Sequence, residues 1–398
     1  MRANSPIEDR ANWPILALAW MLYFGFAVTA ASLVPIITPV RDDLGLSYTQ
    51  IGVVLGTWQL VYIVAAIPAG AFIDRLGTKH SLFVGALLVA ASAATRGLAV
   101  DAVSLMLAVA LFGLGGPIIS IGLPKLIAQW FTGRHRSTAS GIYITGSLAG
   151  NITVLAATNA IVLPVVGGQW RNAMFLYGSL GLASALAWLV FGRDPSSDAP
   201  DASETPLGNA AAVRRIVMMP TVWPVFLVGM SGFLASHGFR NWLPQILEDK
   251  GASPGVAGAL AAFAALGGIL GSIVIMRLVG VVDRATIVQG LLIVTALMLS
   301  LVPFVDGSIL VGVLLVEAFS SAALMPLMLN ALMDMPQIGA SLMGAAGGLY
   351  FSIGEVGGFL GPSIIGVTTD LTGTYTSGLL VLGLVMVAML LPGRWIPR

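Results

Sequence analysis

The chain has 398 residues, of which 57% are hydrophobic and 9% are charged, and its formal net charge is +1. An ordinary soluble domain carries about 25% charged residues, so this composition excludes a water-soluble globular protein and predicts a polytopic membrane protein covered by lipid. The small net charge argues against a nucleic-acid partner, and the absence of cysteine excludes disulfides and thiolate chemistry.

A helix needs about 20 mostly apolar residues to cross a bilayer, and twelve segments of this chain meet that requirement. In chain order, the predicted spans are Trp13–Thr38, Gln50–Phe72, Ser81–Ala99, Val103–Trp130, Ser137–Leu163, Ala173–Phe191, Trp223–Trp242, Val256–Leu278, Ala285–Val302, Ser308–Leu332, Ala340–Val367 and Thr376–Leu391. The sequence therefore predicts an all-α protein with spans numbered 1 to 12 in this order.

One long polar segment divides the spans into two groups of six. Residues 193–220 are rich in proline, serine, aspartate and alanine, a composition typical of a disordered linker. We therefore expect an N-terminal bundle at 1–192, a cytoplasmic linker at 193–220 and a C-terminal bundle at 221–398.

The basic residues predict the orientation of the chain. If both termini are cytoplasmic, 13 of the 19 Lys and Arg residues lie in cytoplasmic segments and five in outer ones, with Lys125 inside span 4. Cytoplasmic loops of membrane proteins carry the excess of basic residues. The sequence thus predicts a protein of the plasma (bacterial inner) membrane with both termini in the cytoplasm.

The two halves repeat a glycine pattern. Span 5 contains Gly-Ile-Tyr followed by Gly146 and Gly150, and span 11 contains Gly-Leu-Tyr followed by Gly354 and Gly358. Glycines four residues apart form a smooth strip on which another membrane helix can pack closely. Together with the six-plus-six arrangement, this pattern predicts two pseudo-symmetric bundles.

The connection between spans 2 and 3 contains the most specific motif of the chain. It reads Gly-Ala-Phe-Ile-Asp-Arg-Leu-Gly-Thr-Lys, with motif residues Gly70, Asp74, Arg75, Gly77 and Lys79. This segment resembles the signature loop of the major facilitator superfamily, Gly-x3-Asp-Arg-x-Gly-x-Lys/Arg, and lies where that family has it. The resemblance implies the major facilitator fold and secondary active transport by alternating access. Because Asp74 can pair with a neighbouring cation and with a helix N-terminus, we expect this loop to latch one transport state.

Two other motifs of the family are missing. Many proton-coupled relatives carry an arginine four residues before a Gly-x-Gly in span 4, but Val109 stands at that place here, and span 5 lacks the Gly-Pro motif of drug antiporters. Both departures argue against a multidrug–proton antiporter. Residues 122–146 are also similar to the cyanate/nitrate-type permeases and to the feline leukaemia virus receptor-related haem and choline carriers, a resemblance that does not fix a substrate.

Ionisable residues deep within the spans are the leading candidates for function. Of the 18 acidic residues, only Glu317 in span 10 and Glu355 in span 11 lie far inside apolar segments, where a charge costs about 3 kcal/mol on insertion scales. His237 and Arg240 lie three residues apart on one face of span 7. We expect these four residues to bind substrate or couple a proton. If Arg240 pairs with either glutamate, arrival of substrate or of a proton would break the pair. The alternatives are structural carboxyl groups and an arginine that reaches the headgroups.

Six further polar or aromatic side chains within the spans are candidate substrate contacts: Trp58, Gln59 and Tyr62 in span 2, Lys125 in span 4, Asn151 in span 5 and Tyr350 in span 11. Aromatic rings can hold a cation, whereas basic side chains favour an anion, so the sign of the substrate charge stays open. Packing and helix bridging are the alternatives for each. Arg96, in contrast, is expected at the outer surface beside Asp101.

These observations predict a secondary active transporter of a small organic solute, an organic ion, driven by protons. Facilitated uniport and multidrug efflux are alternatives, and a membrane receptor or sensor on a transporter scaffold is an alternative of another class. The scattered histidines and the absence of a phosphate-binding loop predict neither an enzyme nor a metal or cofactor site. We expect the chain to act as a monomer.

Overall fold

A computed structural model describes residues 12–194 and 209–396, and within these ranges the regular secondary structure is helical. The helices are α1 (Trp13–Ala31), α2 (Ile37–Leu44), α3 (Tyr48–Arg96), α4 (Ala102–Trp130), α5 (Gly133–Ala157), α6 (Leu163–Val165), α7 (Trp170–Phe191), α8 (Asn209–Val217), α9 (Trp223–Asp249), α10 (Pro254–Leu278), α11 (Arg284–Leu301), α12 (Gly307–Met333), α13 (Gly339–Thr372), α14 (Tyr375–Ala388) and α15 (Leu390–Gly393). In the described residues, 11 helical segments are long and apolar enough to cross a membrane. Because α3 contains spans 2 and 3, the predicted fold of twelve spans is confirmed.

Helix α3 is 49 residues long and folds back on itself at Gly77. The backbone of Gly77 has φ 78° and ψ 167°, a conformation that glycine adopts readily and other residues do not. Helix α4 packs against both limbs of α3, since a Cβ on Gly113 would lie 2.6 Å from the carbonyl oxygen of Trp58 and one on Gly115 would lie 2.7 Å from that of Gly85. The signature loop is therefore a helix reversal.

Matching glycine contacts relate the two bundles. A Cβ on Gly150 of α5 would lie 2.5 Å from the carbonyl oxygen of Phe24 in α1, and one on Gly361 of α13 would lie 2.2 Å from that of Leu234 in α9. The pairs α1–α5 and α9–α13 thus occupy equivalent places in the N-terminal half (α1–α7) and the C-terminal half (α9–α15). Gly358, which the sequence pattern placed in the same strip, lies against His237 of α9 and also against Gln59 of the opposite half.

The two halves are hydrogen-bonded to each other at one end of the molecule, which we call the closed end. Asp370 at the end of α13 accepts hydrogen bonds from the backbone N–H groups of Tyr48 (3.0 Å) and Thr49 (2.7 Å), the first residues of α3. Nearby, the Thr38 hydroxyl donates to the Glu248 carboxylate at 3.0 Å. Both interactions join the N-terminal half to the C-terminal half.

Glycine contacts distinguish the closed end from the opposite end, which carries the signature loop and which we call the open end. At the closed end, a Cβ on Gly52 of α3 would lie 2.5 Å from the carbonyl oxygen of Pro362 in α13. At the open end, a Cβ on Gly70 of α3 or on Gly348 of α13 would meet nothing within 4 Å. Helices α3 and α13 are therefore in tight contact at the closed end, whereas Gly70 and Gly348 face open space at the open end.

The predicted linker is only partly described. Residues 195–208 lie outside the described residues, whereas 209–217 form the short helix α8, which packs against α13. Arg214 and Arg215 are exposed at the end of this helix. This part of the predicted linker is therefore helical rather than irregular.

The expectation for Arg96 is wrong. Its side chain is 1% exposed, and its guanidinium donates to the carbonyl oxygen of Thr29 (2.6 Å) and to the Ser32 hydroxyl (2.8 Å). Because α1 ends at this point, the carbonyl oxygen of Thr29 is free to accept one of these hydrogen bonds, and the Ser32 hydroxyl accepts the other. Arg96 therefore joins α3 to α1 inside the N-terminal half.

Candidate functional site

A central cavity of about 140 Å³ lies between the two halves. Helices α1, α3 and α5 of the N-terminal half and α9, α10 and α12 of the C-terminal half line it. Its polar and aromatic lining residues include Trp58, Asn151, His237, Arg240, Asn241 and Glu317. Five of the ten substrate and coupling residues expected from the sequence therefore meet in one place.

Arg240 is the basic group of this cavity. Although it lies well inside the protein, its side chain is exposed to the cavity. Among the described residues it forms no ion pair, and its one hydrogen bond runs from Nε to the carbonyl oxygen of Ser236 at 3.3 Å. The remaining guanidinium N–H groups are thus available to a ligand, and their planar arrangement suits a carboxylate.

Glu317 of α12 provides a carboxyl group on the opposite side of the cavity. It is 1% exposed, and its Oε1 atom has no hydrogen-bond partner. Glu317 and Arg240 attract each other electrostatically but form no ion pair in the described conformation. Both side chains line the same cavity.

Asn241 lines the cavity although the sequence analysis did not assign it a role. It lies four residues after His237 and one after Arg240, so these three side chains share one face of α9. The spacing of polar residues along this helix was the signal that could have identified it. Asn151 of α5 contributes a second amide, from the opposite half.

A second polar cluster lies beside the cavity, where Gln59 of α3 meets Glu355 of α13 and His237 of α9. A Cβ on Gly358 would lie 2.9 Å from Glu355 Oε2, 3.4 Å from His237 Nδ1 and 3.3 Å from Gln59 Cγ. Glu355 is 7% exposed and Gln59 is fully buried. Glu355 Oε2, His237 Nδ1 and Gln59 Oε1 have no hydrogen-bond partner. Glu355 therefore belongs to a site separate from that of Glu317.

Aromatic rings enclose this second cluster. The ring of Trp58 lies edge-on to the imidazole of His237, with ring centroids 6.1 Å apart. The ring of Phe233 also packs against this imidazole, with ring centroids 5.8 Å apart. Tyr62 packs against Trp58 and shares a hydrogen bond with the Ser120 hydroxyl at 2.8 Å. Trp58 thus forms part of both the cavity and the enclosure of the cluster.

Two expected substrate residues lie outside both sites. Lys125 forms an ion pair with Asp74 of the signature loop at 2.5 Å, toward the open end. Tyr350 is buried, donates its hydroxyl to the carbonyl oxygen of Met325 at 2.9 Å and packs against Phe233. The structure thus gives Lys125 a role at the loop and Tyr350 one in packing.

The signature loop has a hydrogen-bond partner elsewhere in the chain that was not predicted from the sequence. Asp194, just after α7, accepts hydrogen bonds from the Thr78 hydroxyl (2.6 Å) and from the backbone N–H of Lys79 (2.7 Å). These donors lie where α3 restarts after Gly77, so Asp194 caps that limb. Arg75 is exposed, and the carboxylate of Asp74 is occupied by Lys125 in the same half.

Twelve membrane crossings in two equivalent halves, with a polar cavity between them, define a membrane carrier. Over residues 12–194 and 209–396, no group of three or more His, Cys, Asp or Glu side chains is arranged to hold a metal ion. The family model of the Major Facilitator Superfamily matches residues 19–362. The chain belongs to this superfamily, and the resemblance drawn from the signature loop is confirmed.

Relatives with assigned names are transporters rather than enzymes. The hexuronate transporter of Bacillus subtilis is 24% identical over 86% of this chain and 85% of its own length. The D-galactonate transporter of Escherichia coli is 21% identical over 91% of this chain and 90% of its own length. Among solved structures, the inward-facing, unoccupied form of a bacterial homologue of the human lysosomal transporter Spinster aligns with a TM-score of 0.78 and 17% identity, over 96% of this chain and 97% of that one.

Proposed function

We propose that the protein imports a small organic monoanion of the sugar-acid type together with a proton, by alternating access. The observation that carries this proposal is the guanidinium of Arg240, which faces the central cavity without an ion-pair partner and lies across from Glu317. An unpaired cation inside a membrane protein is costly, and such residues generally mark the path of a substrate or ion.

The proposed contacts use the chemistry of a carboxylate that carries several hydroxyl groups. Arg240 would bind the carboxylate with two parallel N–H···O bonds. Asn151 and Asn241 carry both donors and acceptors, so they would bind hydroxyl groups from opposite halves of the protein. A solute held in this way bridges the halves, and its binding therefore favours the conformation in which both halves reach it.

Glu317 would make binding of the anion depend on a proton. An ionised carboxylate on the cavity wall repels an anionic solute, whereas a protonated one can donate a hydrogen bond to it. Binding of the solute would therefore favour protonation of Glu317, and the two would enter together. Uptake of one proton with one monoanion is electrically neutral.

The relatives and the size of the cavity support this class of solute. Hexuronate and D-galactonate, named in two of the relatives, are carboxylates with several hydroxyl groups. A cavity of about 140 Å³ is smaller than the roughly 300–1,000 Å³ of sites for drug-sized ligands, which favours a small solute over the multidrug alternative. The cavity is formed by one chain, so we infer that a monomer suffices.

The excess of basic residues supports a cytoplasmic location for the open end and for both termini. With that orientation in the bacterial inner membrane, the closed end faces outward and the described conformation faces inward. The solute would then leave the cavity toward the cytoplasm, past the signature loop.

Uptake of radiolabelled D-galacturonate and D-galactonate into proteoliposomes tests the proposal. A pH gradient of about one unit should give up to about tenfold accumulation at one proton per monoanion. Arg240→Gln should weaken binding roughly 30-fold or more, because it removes one member of a desolvated charge pair. Arg215→Gln, on the exposed end of α8, removes a cation without touching the cavity and should behave as the wild type. Absence of sugar-acid uptake by the wild type, or equal behaviour of the two variants, would overturn the proposal.

A further inference from the structure

We infer that Glu355, His237 and Gln59 form a proton-binding site, separate from the substrate cavity, that is completed only when the two halves meet at the closed end. The inference rests on the proposed function for its role in transport, but the site itself follows from the arrangement of these three side chains. They converge on Gly358, where a Cβ would lie within 3.4 Å of Glu355 Oε2, His237 Nδ1 and Gln59 Cγ.

The burial of Glu355 without a cationic partner in the described part of the chain favours a proton on its carboxyl group. Three buried atoms of the cluster lack a hydrogen-bond partner: Glu355 Oε2, Gln59 Oε1 and His237 Nδ1. The single amide donor, Gln59 Nε2, is directed to the carbonyl oxygen of Gly358 at 3.4 Å. An ionised Glu355 would be buried without an ion-pair partner among the described residues, and only the Nδ1–H form of His237 could donate to Oε2. A protonated Glu355 can instead donate to neutral His237, which satisfies both groups with one added proton.

The surrounding charges place this proton on the carboxyl group rather than on the imidazole. Arg240, one turn along α9, lies close enough to His237 to repel an imidazolium. Glu317 on α12 faces Arg240, so its charge acts on the arginine rather than on the cluster. Tyr62 of α3 is the other titratable group near Glu355, and its hydroxyl is engaged with Ser120.

The site spans the boundary between the halves, which ties its protonation to conformation. Gln59 belongs to the N-terminal half, whereas Glu355 and His237 belong to the C-terminal half. Close to it, a Cβ on Gly56 would lie 2.9 Å from the carbonyl oxygen of Phe359, so α3 and α13 are in tight contact at this level. Separation of the halves at the closed end would withdraw Gln59 and admit water to Glu355. The proton is therefore loaded from the outer side and retained after closure.

His237 connects this site to the cavity. Its imidazole lines the cavity and also contributes Nδ1 to the cluster. A proton can pass through a histidine because its two ring nitrogens exchange roles as donor and acceptor. The proton on Glu355 thus has a route to the cavity that does not need the closed end to open.

Infrared spectroscopy of the protein in liposomes tests the site without any substrate. The wild type should show the C=O stretch of a protonated carboxyl group at neutral pH, and this signal should disappear in Glu355→Gln but persist in Glu317→Gln. Gln59→Leu, which leaves Glu355 in place, should shift the pH at which the signal disappears. A wild-type signal that is unchanged in Glu355→Gln would overturn the inference.

Transport assays separate this site from the substrate site. Glu355→Gln should lose accumulation driven by a pH gradient but retain exchange of internal for external solute, whereas Arg240→Gln should lose both. Accumulation driven by a sodium gradient and lost in Glu355→Gln would assign the site to sodium and overturn the proton assignment. If the wild type transports no sugar acid, the proposed function fails, and the infrared measurement still decides whether Glu355 holds a proton.

Discussion

The carboxylate of Asp370 offers a direct test of how the closed end is held. It accepts hydrogen bonds from the first two backbone N–H groups of α3, at 3.0 Å from Tyr48 and 2.7 Å from Thr49. A negative charge at a helix N-terminus contributes about 0.3–1 kcal/mol, and up to about 2 kcal/mol when partly buried. Because these bonds join the two halves, this free energy stabilises the closed end against opening.

Asp370→Asn should therefore increase the population that is open at the closed end. A loss of about 1 kcal/mol corresponds to roughly a fivefold change in the equilibrium, and one of about 2 kcal/mol to roughly 30-fold. The chain has no cysteine, so Ala264→Cys in the cavity wall provides a single thiol. Its rate of labelling by a membrane-impermeant reagent added outside cells should rise in the Asp370→Asn background by the same factor.

Asp306→Asn is the matched control. Asp306 lies at the same end and pairs with Lys250 at 2.9 Å, but both residues belong to the C-terminal half. This substitution removes the same charge without touching the contact between halves, so the labelling rate should not change. An equal increase in both variants, or no increase in Asp370→Asn, would refute the assignment of Asp370 as a link between the halves.

Three further substitutions test other parts of the structure. Gly52→Leu should raise the same labelling rate, because the new side chain would collide with the backbone of α13 at the closed end. Gly70→Leu is the control, since a side chain at Gly70 has open space. An equal rise in Gly70→Leu would contradict this explanation. Gly77→Ala should lower the stability of the purified protein in thermal unfolding by about 1–3 kcal/mol, the cost of a strained backbone conformation, and an unchanged melting temperature would contradict the need for glycine. If the signature loop latches the outward-facing state, Asp74→Asn should lower the outside labelling rate. In the described conformation the ion pair of Asp74 stays within its own half. An unchanged rate would argue against a latch.

The sequence predicted the spans well because bilayer thickness determines how long an apolar segment must be. It also predicted Glu317 and Arg240 as cavity residues, since charges are rare in spans and face the interior when they occur. Asn241 was missed because an asparagine near a helix end is equally typical of a membrane interface. Its role depends on the rotation of α9 about its axis, which packing determines.

Partners between helices were the part that could not be predicted. Arg96 was expected at the surface because it stands next to a loop, yet the end of α1 lies against it and accepts its hydrogen bonds. Lys125 was a candidate for substrate binding, and its partner is Asp74, which is 51 residues away in the chain. Whether Arg240 pairs with a glutamate was open for the same reason, because a sequence gives the residues on each helix face and not the neighbour that this face meets.

The two buried glutamates occupy two sites, and this separation bears on how coupling could work. Glu317 lies across the cavity from Arg240, where a solute carboxylate changes its surroundings directly. Glu355 lies next to Gln59 of the other half, so contact between the halves changes the surroundings of Glu355 whether or not solute is present. One carboxyl group would thus respond to the solute and the other to conformation, and His237 contributes to both sites. A carrier with only the first would couple proton and solute through binding, whereas a proton on the second would add control over closure of the outer end.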